Sequence, residues 1–217
     1  MFVKICGVTN EEDALLAVAM GADAVGFVLA TSPRQVAIGA ARDIARRLPP
    51  EIITVGVFRD ALAQRVVDVV YQAGLRAAQL NGHESPADVA YVAEKVPLVI
   101  KAFAPNAAAL TDISEYHADA ILVEAPAPGP GKIFDWRLAE RMPRSRRLIL
   151  GGGLDPGNVA DAIQRLRPWG VDVSTGVETG VRKDPRKVRA FIQEARAALP
   201  EEREPRANAP YDWQEEL

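Results

Sequence analysis

Short runs of apolar and β-branched residues recur along the chain at Phe2–Cys6, Ala24–Leu29, Ile52–Phe58, Ala77–Leu80, Leu98–Phe103, Ala120–Val123, Leu148–Leu150 and Val171–Ser174. Unbroken apolar character over so few residues predicts strands buried on both faces, as parallel strands are when helices cover them. Amphipathic segments with readable ends fill the gaps. Thr9 with Glu12 reads as a capping box for a helix that runs to Met20 and stops at Gly21. Asp60 is placed to cap a helix over Ala61–Ala73, with Gly74 ending it. Ser85-Pro86 and Asp184-Pro185 each set a capping side chain before a proline at the first helical position. Asp135 reads most simply as the N-cap of a helix over Trp136–Arg141. About eight strands, each followed by a helical segment, predict a single α/β domain over residues 1–199 with the architecture of a (β/α)8 (TIM) barrel. A doubly wound open sheet is the alternative, because periodicity does not show closure. Residues 200–217, rich in Glu, Pro and other polar residues, read as a poorly ordered tail.

Composition narrows the function classes. A net charge of −3 leaves no basic footprint for nucleic acid. The most apolar stretch, Leu15 to Ala30, is broken by Gly21, Asp23 and Gly26, so no membrane span is expected. A strand beginning within the first residues leaves no room for a signal peptide, and the lone Cys6 fits a reducing cytoplasm. The two histidines, His83 and His117, are too few for a transition-metal cluster, and no metal site is expected. A helix face buried against a partner resembles one buried in its own domain, so monomer and homodimer are both compatible with the pattern.

Candidate chemistry gathers at the C-terminal ends of the strands, where barrels of this kind carry their active sites. Cys6-Gly7 follows the first strand, Thr31-Ser32-Pro33-Arg34 the second, and Glu124 with a Gly/Pro-rich loop to Lys132 the sixth. Gly151-Gly152-Gly153 follows the seventh, and Ser174-Thr175-Gly176-Val177-Glu178 the eighth. Two Gly-containing loops after the last two strands suit a phosphate, since glycine lets backbone N–H groups approach an anion; the plainer reading is a pair of tight turns. Cys6 and Glu124 are candidates for a base and an acid that would move a proton within a sugar. Lys4 shares a strand face with Cys6 and would favour its thiolate. Against this, a free Cys is often an inert core residue and a loop Glu is often simply solvated. Arg34 offers a planar fork for a carboxylate or phosphate, or is an unpartnered loop cation. Asp172, a charge inside the last strand, needs a partner or a function.

The ordered series Val3-Lys4-Ile5-Cys6-Gly7-Val8-Thr9, Gly26-Phe27-Val28 with Ser32-Pro33-Arg34, Val55-Gly56-Val57-Phe58, Gln79-Leu80 with Gly82, Gly129 with Gly131-Lys132, Phe134-Asp135-Trp136, Gly152-Gly153-Leu154 with Asn158-Val159, and Val171-Asp172-Val173-Ser174 with Gly176-Val177-Glu178 resembles the phosphoribosylanthranilate isomerases of tryptophan biosynthesis over residues 1–198. The resemblance implies a cofactor-free Amadori rearrangement of a small phosphorylated substrate. It makes Cys6 the general base and Glu124 the general acid. Arg34 would face the anthranilate carboxylate, Lys4 and Asp172 would lie near the substrate, and Gly152, Gly153, Ser174, Thr175 and Gly176 would hold the phosphate. The chain departs from the family's pattern in four places. Glu124 stands where Asp is usual and Asn81 where His is usual; Pro130 replaces a hydroxyl residue; and Glu178–Asp184 is slightly shortened and lacks a proline. Two further readings stay open: a phosphate-ligand-binding barrel without catalysis, and another sugar- or aminoaldose-phosphate isomerase.

Overall fold

The structure, a computed structural model, describes residues 1–104, 113–124 and 147–198. Eight parallel strands close into a barrel in sequence order: β1 (Phe2–Cys6), β2 (Ala24–Val28), β3 (Ile53–Phe58), β4 (Ala77–Leu80), β5 (Leu98–Phe103), β6 (Ala120–Glu124), β7 (Arg147–Gly151) and β8 (Gly170–Val173). The β1–β8 pairing, with Lys4 beside Asp172, completes the ring and removes the open-sheet alternative. Helices α1 (Glu11–Ala19), α2 (Ile38–Ala45), α3 (Ala63–Ala73), α4 (Pro86–Ala93), α5 (Val159–Leu166) and α6 (Pro185–Ala197) cover the outside. The loop Ala125–Lys132, the helix expected at Trp136–Arg141 and the tail 200–217 lie outside the described residues.

Period-two alternation sorts the strand residues into two layers. Val3, Ile5, Val25, Phe27, Val99, Ile121, Val123, Val171 and Val173 pack outwards beneath the helices. Phe2, Ala24, Val55, Ala77, Leu98, Ile100, Ala120, Leu122 and Ile149 form a second cluster inside the barrel. Along β1, β4, β6 and β8 the inward positions turn polar towards the C-terminal end: Phe2 gives way to Lys4 and Cys6, Ala77 to Gln79, Leu122 to Glu124, and Gly170 to Asp172. The interior is thus an apolar plug below and a polar chamber above, and the alternation alone puts the chemistry in the chamber.

The closed end is fastened by one device used twice. Asp23, just before β2, accepts the Val3 N–H at 2.7 Å, and Asp119, just before β6, accepts the Val99 N–H at 2.7 Å. Arg196 of α6 ties into the first clamp, donating to Asp23 and to the carbonyls of Met1 and Gly21. These bonds satisfy strand-end N–H groups that lack a ladder partner.

Helix ends match the expected punctuation in part. Ser85 forms a full capping box with Asp88, Asp184 caps α6, and Gly74 ends α3 in the left-handed conformation at φ 63°. Two caps differ. Asn10, not Thr9, caps α1, its side-chain oxygen accepting the Asp13 N–H at 2.9 Å. Asp60 does not cap α3, which starts at Ala63 after Leu62; its carboxylate instead accepts the His83 N–H from the loop after β4. After β8 the chain forms a small antiparallel hairpin, β9 (Glu178–Thr179) and β10 (Arg182–Lys183), turning through Gly180 at φ 65°. The sequence pattern did not mark this hairpin.

Candidate active site

The polar chamber opens as a cavity of about 460 Å³ at the C-terminal ends of the strands. Cys6 from β1, Glu124 from β6 and Asp172 from β8 share it with Arg34 and the loops carrying Gly152, Gly153, Ser174 and Thr175. At its floor, the Lys4 ammonium donates to Asp172 Oδ1 at 2.8 Å, and Lys4 has no solvent exposure. The parallel register sets this pair, since Lys4 and Asp172 are direct neighbours across β1–β8. Burial opposes the ammonium, but Asp172 and the adjacent Cys6 outweigh it, so Lys4 stays protonated well above its ordinary range. Gly26, paired with Cys6 on β2, makes the room: a Cβ there would lie 2.9 Å from the thiol sulfur and 3.0 Å from Lys4 Nζ.

Burial pushes the Cys6 thiol up. Lys4 and, more weakly, Lys183 pull it down, while Asp172 pushes it further up. The Lys4 effect expected from the sequence is present, but burial is larger, and the resting group is a thiol. Glu124 is also raised, chiefly by burial and then by Asp172; Arg59, Lys4 and a hydrogen bond from Asn81 act against this. A carboxyl raised this way is suited to hold a proton and give it up.

Arg34 is not an unpartnered loop cation. Its Nε and Nη2 grip the two oxygens of Glu178 at 2.8 and 2.5 Å, and Lys183 Nζ holds Glu178 Oε1 at 2.7 Å. The β9–β10 register sets Lys183 opposite Glu178. Glu178 is almost fully buried; burial raises it, yet the two cations dominate and hold it below the usual carboxylate range. The Arg34 stem crosses Gly7, where an added Cβ would meet Arg34 Cδ at 2.6 Å; Gly7 also has φ +72°. The two glycine loops interlock in the same way. Gly152 and Gly153 take left-handed φ of 72° and 64°, and Gly176 packs so tightly on the Leu154 carbonyl that a Cβ would sit 1.9 Å from its oxygen.

The sequence profile of N-(5'-phosphoribosyl)anthranilate (PRA) isomerase matches residues 3–194. The chain belongs to this family. The N-(5'-phosphoribosyl)anthranilate isomerase of Desulforudis audaxviator is 49% identical over 204 residues, covering 91% of this chain and 98% of its own. Among solved structures, the phosphoribosylanthranilate isomerase of Thermotoga maritima superposes with a TM-score of 0.83 at 41% identity, covering 91% of this chain and 99% of that one. A second isomerase structure, in complex with reduced 1-(o-carboxyphenylamino)-1-deoxyribulose 5-phosphate, superposes with a TM-score of 0.78 at 39% identity over 91% and 99% of the two chains.

In this member of the isomerase family, Cys6, Arg34, Glu124, Asp172, Gly152, Gly153, Ser174 and Thr175 all border one cavity. Lys4 lies beneath its floor, sealed by Asp172, and Gly176 stands behind the wall against Leu154. His83 and His117 are exposed and away from the cavity. Among the described residues, no group of three or more His, Cys, Asp and Glu could hold a metal, and no helix is long and apolar enough to cross a membrane. Sequence reading missed the partners that orient the site. Asn81, itself bonded by Gln79, reaches Glu124, and Glu178, itself held by Lys183, reaches Arg34. Gln79 left one signal, a polar residue inside an apolar strand; Lys183 left none.

Proposed function

We propose that the protein converts N-(5'-phosphoribosyl)anthranilate into 1-(2-carboxyphenylamino)-1-deoxyribulose 5-phosphate, an Amadori rearrangement serving tryptophan biosynthesis. The observation that carries the reading is the one cavity holding a thiol on β1 and, on β6, a carboxyl that burial pushes up, in a chain of this isomerase family. The relative solved with the reduced product analogue supports the choice of substrate.

Glu124 gives its proton to the furanose ring oxygen as the C1–O bond breaks, and the anthranilate nitrogen lone pair forms the C1=N iminium. Cys6, as thiolate, then takes the proton from C2, and the C2–H electron pair becomes the C1=C2 bond of an enolamine. Protonation at C1 and loss of the C2 hydroxyl proton give the ketone, so atoms balance with no oxidant or reductant. The resting thiol first gives its proton to solvent at the open cavity, a loss that Lys4 and the iminium charge formed beside it favour. Glu178 occupies the Nε–Nη2 edge of Arg34, which leaves the Nη1 side for the anthranilate carboxylate. The left-handed Gly152-Gly153 turn and the Ser174-Thr175-Gly176 loop supply backbone N–H groups and hydroxyls for the phosphate. Lys4 and Asp172 act from below, tuning the thiol. A thiol base requires reduced cysteine, which supports a cytoplasmic setting for the reaction.

The test follows loss of the anthranilate-type fluorescence of freshly prepared phosphoribosylanthranilate. Turnover is expected. Folded protein that binds the reduced product analogue without turnover would make it a non-catalytic barrel. Cys6→Ala should abolish turnover while keeping analogue affinity, and Glu124→Gln should be nearly inactive, with Glu124→Asp retaining part.

A further inference from the structure

Inside β4, Gln79 is 1% exposed, and its backbone is locked between Val57 of β3 and Ile100 of β5. Its Nε2 donates to Asn81 Oδ1 at 2.8 Å, and Asn81 Nδ2 donates to Glu124 Oε1 at 2.9 Å. The Asn81 backbone is itself anchored, its N–H donating to the Phe58 carbonyl at 2.8 Å. We propose that Gln79 and Asn81 form an amide relay that positions Glu124 for proton donation, with Asn81 the positioning residue and Gln79 setting the direction of its amide. The inference rests on the reading of Glu124 as the acid.

The polarity of the chain carries the argument. An amide has one accepting and one donating end. Because Gln79 gives an N–H to Asn81 Oδ1, only the Nδ2 end of Asn81 can face the carboxyl. An N–H delivered to Oε1 makes that oxygen the acceptor and leaves the proton to Oε2, which has no hydrogen-bond partner among the described residues. The relay also has a cost that packing does not explain. Gln79 Oε1 is buried with no hydrogen-bond partner among the described residues. Leaving such an acceptor unmade is destabilising, and an apolar residue there would avoid it. What the glutamine supplies in return is the Nε2 donor. The Asn81 bond also favours the ionised form of Glu124, opposing burial and Asp172, so it moderates the retention of the proton as well as aiming it.

The experiment compares parent, Asn81→Leu, Gln79→Leu, the double variant, Asn81→His and Glu124→Gln by steady-state kinetics across pH, with urea denaturation on each. Asn81→Leu should lower kcat about tenfold to a hundredfold, the range for a hydrogen bond to a charged group, and leave KM nearly unchanged. Its alkaline limb of kcat should move to higher pH, because the carboxylate has lost a donor. Gln79→Leu should give a smaller loss in the same direction, and the double variant should lose no more than Asn81→Leu, as members of one network do. Asn81→His, which returns a ring N–H, should restore part of kcat. An Asn81→Leu variant with parent kcat and an unmoved limb, beside an inactive Glu124→Gln, overturns the relay alone, whatever its urea midpoint. A Glu124→Gln variant with parent kcat overturns the acid reading itself.

Discussion

Gly26 separates β2 from the reactive end of β1, and replacing it by alanine tests whether the position of the thiol governs the rate. The added methyl carbon would sit 2.9 Å from Cys6 Sγ and 3.0 Å from Lys4 Nζ. Heavy atoms in ordinary contact stay about 3.5–4.0 Å apart, so one partner must retreat by roughly 0.6–1.1 Å. Lys4 has little freedom, being fully buried and bonded to Asp172 at 2.8 Å. The strands cannot part without breaking the Cys6–Gly26 register. The displacement therefore falls mainly on the sulfur. Overpacking costs about 1–3 kcal/mol, partly offset by the roughly 0.5–1 kcal/mol an alanine gains over glycine inside a strand. The variant should fold, with stability lower by about 1 kcal/mol in urea denaturation. A misplacement near 1 Å costs on the order of 100-fold in rate, or about 2.7 kcal/mol of transition-state stabilisation. The loss should appear in kcat, with KM changed by less than about threefold, since Arg34 and the glycine loops are untouched. Gly39, within α2, has nothing within 4 Å of an added Cβ and serves as control: Gly39→Ala should keep parent kcat and gain up to about 1 kcal/mol. A folded Gly26→Ala protein with kcat within threefold of the parent would refute the reasoning.

Further outcomes are expected elsewhere. Lys4→Met should push the Cys6 thiol still higher, so alkylation of the lone cysteine by iodoacetamide should begin at a higher pH than in the parent. Gly176→Ala forces a Cβ against the Leu154 carbonyl and should separate the two glycine loops, raising KM at least tenfold and lowering the urea midpoint. Asp23→Ala removes the acceptor of the Val3 N–H at the closed end; it should cost about 1–3 kcal/mol of stability and leave kcat unchanged. Glu178 is held below its ordinary 4.5, so the unfolded chain takes up its proton before the folded one. Its contribution is full above pH 4.5 and fades as pH falls through the folded value, so the stability gap between parent and Glu178→Gln should narrow in acid.

What was legible in the chain was whatever depends on neighbours in sequence. Strand ends fall within a residue or so of the apolar runs, and Ser85 and Asp184 cap where their prolines indicated. Cys6 and Glu124 were legible as candidates because they stand at the C-terminal ends of apolar runs, and Asp172 because a charge inside such a run needs a partner or a function. The failures at Asp60 and Arg34 share one physical cause. Asp60 has the composition of a cap, but the loop after β4 lies against it, with Gly82 so close that an added Cβ would be 2.4 Å from the Asp60 nitrogen, and the carboxylate serves that loop instead. Glu178 lies 144 residues from Arg34, and no local pattern announces such a pairing. The bonds that orient Lys4, Arg34 and Glu124 join segments 168, 144 and 43 residues apart, which periodicity does not reach.

The grip of Glu178, itself held by Lys183, on Arg34 also settles when the arginine loses its freedom. A free arginine side chain carries about 2 kcal/mol of rotamer entropy, which a ligand would otherwise have to freeze on arrival. Here the guanidinium is clamped at two atoms before any ligand enters, so that loss belongs to the folding of the β9–β10 hairpin. On the proposed reading, binding the substrate carboxylate at this mouth would be a meeting of two rigid planes. Its specificity comes from where the hairpin has set the fork, and an arginine at the same position without the hairpin would be a weaker and less selective receptor.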